Sequence, residues 1–306
     1  MQNGVHWPDT IWKEINDAVL LEVGKVRIAQ KIFPTAELKG NPMTVPNEVI
    51  DFDKLSIEEG ATKRFVEIYR EFTLTSTQVE REAEQKSALT LALMAAKVLA
   101  LAEDACFFGS RNRDDRGRKV PAGVVPKNLL ASDPGLLAEA YEVMEIPRAQ
   151  KPDNADYGEE TFSAVTAGIA KLVAKGQAQP YALVLPTGIY ADTFVPPSNA
   201  SLVTTADRIR PLLEGGFYSS GMLPDDQGLL VALAGDPTKL YVGREATTEF
   251  VRQDEANYIF RVVERVQYVV RDPRALIAFK FLPVGRASGA AASRGSGGET
   301  ARKGAA

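Results

Sequence analysis

A helical pattern of about 30 residues constrains this chain more than any other feature. Thr77 and Glu80 have the spacing of a capping box, the pattern runs on to Phe108, and Gly109 follows as a C-terminal stop. At 1.5 Å per residue the predicted helix is about 45 Å long. Its first turns are charged and its second half, from Ala88, is apolar on nearly every side. We therefore expect one exposed end and one buried end, in a molecule that does not enclose the helix within one small domain.

Residues 36–63, which precede this helix, have little helical periodicity, many charges, and several glycines and prolines. An excursion of this length inside a globular chain is usually functional or bound to a partner. The composition leaves two interpretations open, a two-stranded arm or a solvated loop.

The remaining elements predict an α+β chain. The first helix is predicted over Asp9–Ala29 with Asp9 or Thr10 as its cap, and a strand over Phe65–Thr75. Residues 110–157 are expected to be irregular, and strands dominate from residue 228 onwards. Residues 285–306 contain no large apolar side chain, so we expect them to be disordered.

Residue counts exclude several classes of function. The net charge is −4, which disfavours a nucleic-acid partner. His6 and Cys106 are the single histidine and cysteine, so a Ser-His-Asp triad or a multi-histidine zinc site is not expected, and no metal is predicted. One cysteine excludes an internal disulfide and fits a cytoplasmic compartment. The longest apolar run, Ala88–Ala102, is too short to cross a bilayer, and Met1–Trp12 lacks the pattern of a secretory signal.

Several segments, in the right order across residues 12–281, resemble the encapsulin shell proteins of family 1, the linocin-type encapsulating proteins. The matching segments are Trp12-Lys13-Glu14-Ile15-Asn16, Phe72-Thr73-Leu74, Glu103-Asp104-Ala105-Cys106-Phe107-Phe108, Pro180-Tyr181-Ala182-Leu183-Val184-Leu185, Gly243-Arg244-Glu245, the strand Arg261–Val270, and Asp272–Phe281. The Gly109-Ser110 pair departs from the family, in which the glycine comes one residue later.

The resemblance implies the phage major-capsid (Hong Kong 97-type) fold, an α+β fold with an N-terminal helix, an extended arm loop, a peripheral domain with a long spine helix, and an axial domain. The implied boundaries are 1–35 for the N-terminal helix and arm, 36–63 for the extended loop, 64–124 and 241–284 for the peripheral domain, 125–240 for the axial domain, and 285–306 for the disordered tail.

The implied function is a non-enzymatic one. Many copies would self-assemble into a closed icosahedral shell around a cargo protein that bears a terminal targeting peptide. The family's cargo includes peroxidases, ferritin-like proteins and other oxidative enzymes. Neither a membrane nor a nucleic acid is expected as a partner.

The resemblance also implies site residues. Aligning the first helix from Trp12 places Val23, Ile28 and Lys31 near the groove that binds the cargo peptide, although Val23 and Ile28 are also typical core residues. Some members stack a flavin on a tryptophan three residues after the Phe-Thr-Leu motif. Here that position is Thr77, so no flavin is expected.

The loop Pro196-Pro197-Ser198-Asn199-Ala200-Ser201-Leu202 corresponds to the family's fivefold pore loop, with an ordinary surface turn as the alternative. The loop carries no charge, so a pore lined by it would select by size more than by charge.

Other functions stay open at this stage. A virus or prophage major capsid protein shares the fold and differs in what it encloses. A hydrolase or bacteriocin-like protein is the second alternative. The neighbouring carboxylates Glu103 and Asp104 could be an acid/base pair, or could make structural hydrogen bonds at a helix end.

Overall fold

The computed structural model describes residues 4–40, 42–52, 54–58, 61–109, 120–128, 135–147, 158–196 and 203–282. The predicted tail and most of the predicted pore loop lie outside these residues. Within them the helices are α1 (Asp9–Val26), α2 (Ala29–Ile32), α3 (Ser76–Glu80), α4 (Glu82–Gln85), α5 (Ser87–Phe108), α6 (Leu136–Glu139), α7 (Gly158–Ala174), α8 (Thr187–Asp192) and α9 (Thr205–Ile209), with short 3-10 turns at Arg210–Leu212 and Pro273–Ala275.

The strands form two large sheets and two small ladders. They are β1 (Thr35–Glu37), β2 (Thr44–Pro46), β3 (Val49–Asp51), β4 (Ser56–Glu58), β5 (Thr62–Arg64), β6 (Val66–Thr75), β7 (Val124–Lys127), β8 (Glu142–Ile146), β9 (Tyr181–Pro186), β10 (Gly216–Ser220), β11 (Gln227–Ala232), β12 (Thr238–Asp254), β13 (Asn257–Val270) and β14 (Leu276–Phe281). The first sheet has the order β1-β12-β13-β6-β7, and the second sheet has the order β10-β9-β11-β14-β8.

The spine helix α5 joins the two sheets through one continuous core. Its apolar half is rich in alanine, which lets neighbouring elements approach closely. It packs against α1 and against β6 and β13 of the first sheet. The same core extends to the face of the second sheet that carries Val184, Leu229 and Ala278. A separate core lies on the opposite face of that sheet, beneath α7.

The predicted 30-residue helix is interrupted. Lys86 has a left-handed backbone (φ 52°), so α5 starts afresh at Ser87. The buried Glu82 carboxylate accepts hydrogen bonds from the backbone N–H groups of Ala88 (2.7 Å) and Leu89 (3.1 Å), which satisfies orphan donors in the first turn of α5. The 22 residues of α5 still span about 33 Å, and Gly109 ends the helix as predicted.

Two predicted caps are wrong. The capping box ahead of the spine pairs Thr75 with Gln78, two residues before the predicted pair. Helix α1 begins after Pro8, which has an extended backbone and offers no side-chain cap. The first error arises because several cap-forming residues stand close together before the spine, and the direction of the preceding strand decides which one caps. In α1, both predicted caps, Asp9 and Thr10, lie inside the helix.

Two further expectations differ from the structure, one about residues 110–157 and one about strand β14. The segment 110–157 contains β7, α6 and β8, although it was expected to be irregular. Strand β14, which the sequence placed with the peripheral segment 241–284, pairs with β11 and β8 in the second sheet. Sheet membership depends on distant partners, which periodicity along the chain does not reveal.

We expect Glu82→Ala to lower the free energy of unfolding by about 1–3 kcal/mol, because it leaves buried N–H groups of α5 without an acceptor. The matched control is Glu84→Ala, at an exposed position of the same short helix, which we expect to change stability by less than about 0.5 kcal/mol. Denaturant unfolding followed by circular dichroism measures both. Equal effects of the two substitutions would contradict the capping role.

Candidate assembly and cargo surfaces

The extended segment 36–63 forms an arm made of two short antiparallel ladders, β2 with β5 and β3 with β4. This matches the two-stranded alternative. The base of the arm is fixed to the body, because Val45 is buried with Phe65 and Tyr241, and Glu48 pairs with Arg271 at 2.5 Å.

The arm exposes large apolar side chains beside both of its ladders. Leu55 has 85% of its surface exposed, and Met43 and Ile57 are also mainly exposed. A hairpin of this size cannot bury such residues against itself. The arm therefore presents an apolar surface that the described part of the chain leaves mainly exposed, and we name Met43, Leu55 and Ile57 the arm surface.

A second exposed apolar surface lies on α1 and α5. The two helices run parallel, since Glu14 pairs with Lys86 (2.5 Å) and Glu22 pairs with Lys97 (3.4 Å). Leu21, which is 66% exposed, adjoins Glu22, and Met94, which is 60% exposed, lies one turn before Lys97. We name Leu21 and Met94 the helix surface, because each is exposed and lies close in sequence to one residue of the Glu22–Lys97 ion pair.

The three residues predicted for the cargo groove differ in exposure. Val23 is completely buried in the core, so the core alternative holds for it, and it cannot contact a peptide without movement of α1. Ile28 is half-buried where α1 gives way to α2. Lys31 is exposed, and its ammonium group donates a hydrogen bond to the carbonyl of Lys25 at 2.6 Å.

Asp104 anchors this corner between α1 and α2. Its carboxylate accepts hydrogen bonds from the backbone N–H groups of Ile28 (3.0 Å) and Ala29 (2.9 Å) at the start of α2. Burial raises the pKa of Asp104 to about 7, against the opposing effect of these hydrogen bonds. Of the two interpretations of the Glu103–Asp104 pair, structural hydrogen bonding holds for Asp104.

The second sheet carries further exposed apolar side chains at two places. Tyr141, Val143 and Val173 are exposed on its β8 edge and on α7. Phe194, Val195 and Val203 flank the predicted pore loop. Pro196 is exposed, and the other predicted pore residues, 197–202, lie outside the described residues.

Thr77, at the position where some relatives carry a flavin-stacking tryptophan, is exposed on α3. No three His, Cys, Asp or Glu side chains of the described residues come together as a metal site would require. None of the helices in the described segments is long and apolar enough to cross a membrane.

A family model described as "encapsulating protein for peroxidase" matches residues 137–267. The matched span runs from α6 through most of β13 and so includes most of the second sheet. The resemblance to the encapsulin family is confirmed over these residues. No curated protein matches the chain.

Solved structures confirm the fold over most of the chain. The virus-like particle protein of Pyrococcus furiosus is similar with a TM-score of 0.63 and 14% identity, covering 88% of this chain and 99% of that one. The capsid protein of Myoviridae phage XM1 is similar with a TM-score of 0.55 and 11% identity, covering 84% of this chain and 92% of that chain. The SrpI encapsulin of Synechococcus elongatus is similar with a TM-score of 0.53 and 10% identity, covering 82% of this chain and 85% of that chain. The chain therefore has the fold that encapsulins share with tailed-phage capsid proteins.

The sequence predicts the arm, but not which of its residues form the exposed apolar surface. The alternation around Ser56, with Leu55 and Ile57 on either side of it, was the available signal. The sequence does not predict the exposure of Leu21 and Met94, because both lie in apolar helical stretches whose buried side depends on the neighbouring element.

Proposed function

We propose that this chain is the shell protein of an encapsulin nanocompartment, a non-enzymatic tile that assembles with copies of itself into a closed icosahedral particle around a cargo enzyme. The exposed arm surface carries this proposal. An arm that is fixed at its base and apolar at Leu55 and Ile57 needs a second copy to cover it.

The energetics support assembly. Burying one exposed leucine or isoleucine side chain contributes about 1.5–3 kcal/mol. The arm surface and the exposed residues of the second sheet lie on different parts of the chain. When one surface of a copy binds a different surface of the next copy, the copies form a closed ring if the rotation between neighbours divides a full turn evenly. Closed symmetric shells repeat such contacts many times.

The cargo proposal rests on the helix surface. Leu21 and Met94 supply exposed apolar area, while Ile28 and Lys31 lie further along at the α1–α2 corner. Apolar anchors with a charge at the rim suit an extended apolar peptide. The matched family model, which names a peroxidase, supports a peroxidase cargo, with a ferritin-like or other oxidative enzyme as alternatives. We place the particle in the cytoplasm, in keeping with the single cysteine.

Two further assignments complete the proposal. The uncharged loop Pro196–Leu202 lines a fivefold pore that selects by size, and the exposed Phe194 and Val203 on either side of it support a contact between copies there. The shell carries no flavin at Thr77, because a threonine offers no aromatic stacking surface.

A virus or prophage capsid protein is the second candidate, because the phage XM1 capsid has the same fold. The two functions differ in what the particle encloses. Adjacent terminase and portal genes with packaged DNA would favour the capsid protein. An adjacent enzyme gene that ends in a short apolar peptide would favour the encapsulin.

We expect the double substitution Leu55→Glu/Ile57→Glu to abolish particle formation, because two carboxylates cannot be buried between copies without partners. The chain should remain folded, since both side chains are exposed in the single copy. Size-exclusion chromatography and negative-stain microscopy measure assembly, and circular dichroism measures folding. The control is Leu21→Glu, the same exchange at an exposed leucine of the helix surface, which should still assemble. Particles of normal size from the double variant would contradict the role of the arm.

We expect Leu21→Glu and Met94→Glu particles to hold less than one tenth of the wild-type cargo. A loss of about 1.5–3 kcal/mol of apolar contact corresponds to a factor of roughly 10 or more in affinity. Mass spectrometry of particles purified from the native host gives the ratio of cargo to shell protein. The matched control is Val125→Glu, at an exposed apolar position on the edge strand β7, which should load cargo normally. Undiminished loading in both helix-surface variants would contradict this site.

A further inference from the structure

Two glutamates lie completely buried at the end of the spine helix. Glu103 of α5 has no exposed surface and Glu264 of β13 has 1%. None of their four carboxyl oxygens has a hydrogen-bond partner of standard geometry within the described part of the chain. Buried polar groups in folded proteins are almost always paired, so this site needs a physical explanation.

The surroundings hold too little positive charge for two carboxylates. Arg27, in the link between α1 and α2, approaches Glu103 at 3.7 Å and Glu245 of β12 at 4.0 Å. Gln30 of α2 faces the pair as a neutral amide, and Ile68 of β6 lies opposite Glu264 in the sheet. Asp104 and the more distant Lys31 complete the charged neighbourhood. One arginine therefore serves several carboxyl groups, and leaving a buried carboxylate uncompensated is costly.

A shared proton removes this conflict. Burial raises the pKa of Glu264 well above its usual range, and the adjacent negative charge of Glu103 raises it further. Burial also raises the pKa of Glu103, but the nearby positive charge of Arg27 and the side chain of Gln30 oppose that effect. The pKa of each carboxyl group is thus raised by burial, and one proton is shared between the two.

We propose that Glu103 and Glu264 form a proton-sharing latch that fastens the N-terminal helix to the spine and to the β12–β13 hairpin, and that loss of the shared proton opens the α1–α2 corner. Deprotonation places a second buried negative charge beside the first, and one arginine, Arg27, cannot compensate both, so the charged pair gains from contact with water. The α1–α2 segment contributes Arg27 and Gln30 to the site, and its opening admits that water. The pair is contained within one copy of the chain, so this inference does not rest on shell assembly.

The direction of the pH effect follows from the raised pKa of Glu264. A carboxyl group whose pKa is raised on folding contributes stability that is fully present below its unfolded pKa, near 4.5. That stability is lost as the pH rises through the folded pKa. The latch is thus closed in acid and opens towards alkaline pH. The raised pKa of Asp104, about 7, likewise lowers the stability of the corner as the pH rises, and this loss is complete a little above pH 7.

Hydrogen–deuterium exchange of the full-length protein between pH 5 and 9.5 tests the latch. Peptides covering residues 9–33 report the opening of the corner after correction for the intrinsic exchange rate. We expect the opening constant of the wild type to rise with pH more steeply than that of Glu264→Gln, by up to tenfold per pH unit for one proton. The amide of the variant keeps the donor and cannot ionise.

The matched control is Glu249→Gln on β12. The pKa of Glu249 is lowered, because hydrogen bonds and charge from Arg244 and Arg261 outweigh its partial burial. It is therefore ionised throughout most of this range, and the control should follow the wild-type slope. If Glu264→Gln does not fold, Glu103→Gln decides in the same way, since Arg27 then faces one carboxyl of the pair. The proposal would be overturned if the opening constant of the glutamine variant rose with pH as steeply as that of the wild type. It would also be overturned if the opening constant of the wild-type corner did not change with pH.

Discussion

The architecture depends on apolar surface that one copy of the chain cannot bury. The arm consists of two short ladders, and its one buried apolar side chain among the described residues 42–52, 54–58 and 61–64 is Val45, yet it exposes Leu55 and Ile57. A monomer that leaves this surface in water forgoes the stabilisation that its burial would contribute. The arm surface and the exposed residues of the second sheet are explained together if each is covered by another copy.

The spine helix is the element that makes a rigid tile from two sheets. Its alanine-rich half packs on the first sheet and reaches the core face of the second, so the two sheets share one core. The N-terminal helix lies parallel to the spine and is held to its end by Asp104 and Arg27. Leu21 and Met94 of the helix surface lie on α1 and α5, and the ends of these two helices meet at the corner that contains the buried glutamate pair.

Local periodicity predicts much of this fold, and non-local pairing accounts for the errors. The spine, the first helix and the strand entering the spine carry strong patterns, and all three are present. The break at Lys86 escaped prediction because the surrounding residues favour helix, and the cap from Glu82 operates only after the turn has formed. Strand β14 resembles the family's closing segment, but its sheet is decided by β8 and β11, far away in sequence.

The candidate sites show the same division. Val23 was chosen by alignment of the first helix and lies in the core, because burial on α1 is decided by α5. The burial of Glu264 could not be foreseen, since a glutamate in a strand between Val263 and Arg265 suggests an outward position. The pore loop and the tail remain sequence predictions.

Cryo-electron microscopy of the purified full-length chain tests the central claim most directly. The account predicts closed icosahedral particles in which Leu55 and Ile57 of each copy are buried against a neighbouring copy. A stable folded monomer at micromolar concentration, with the arm surface still exposed to solvent, would contradict it.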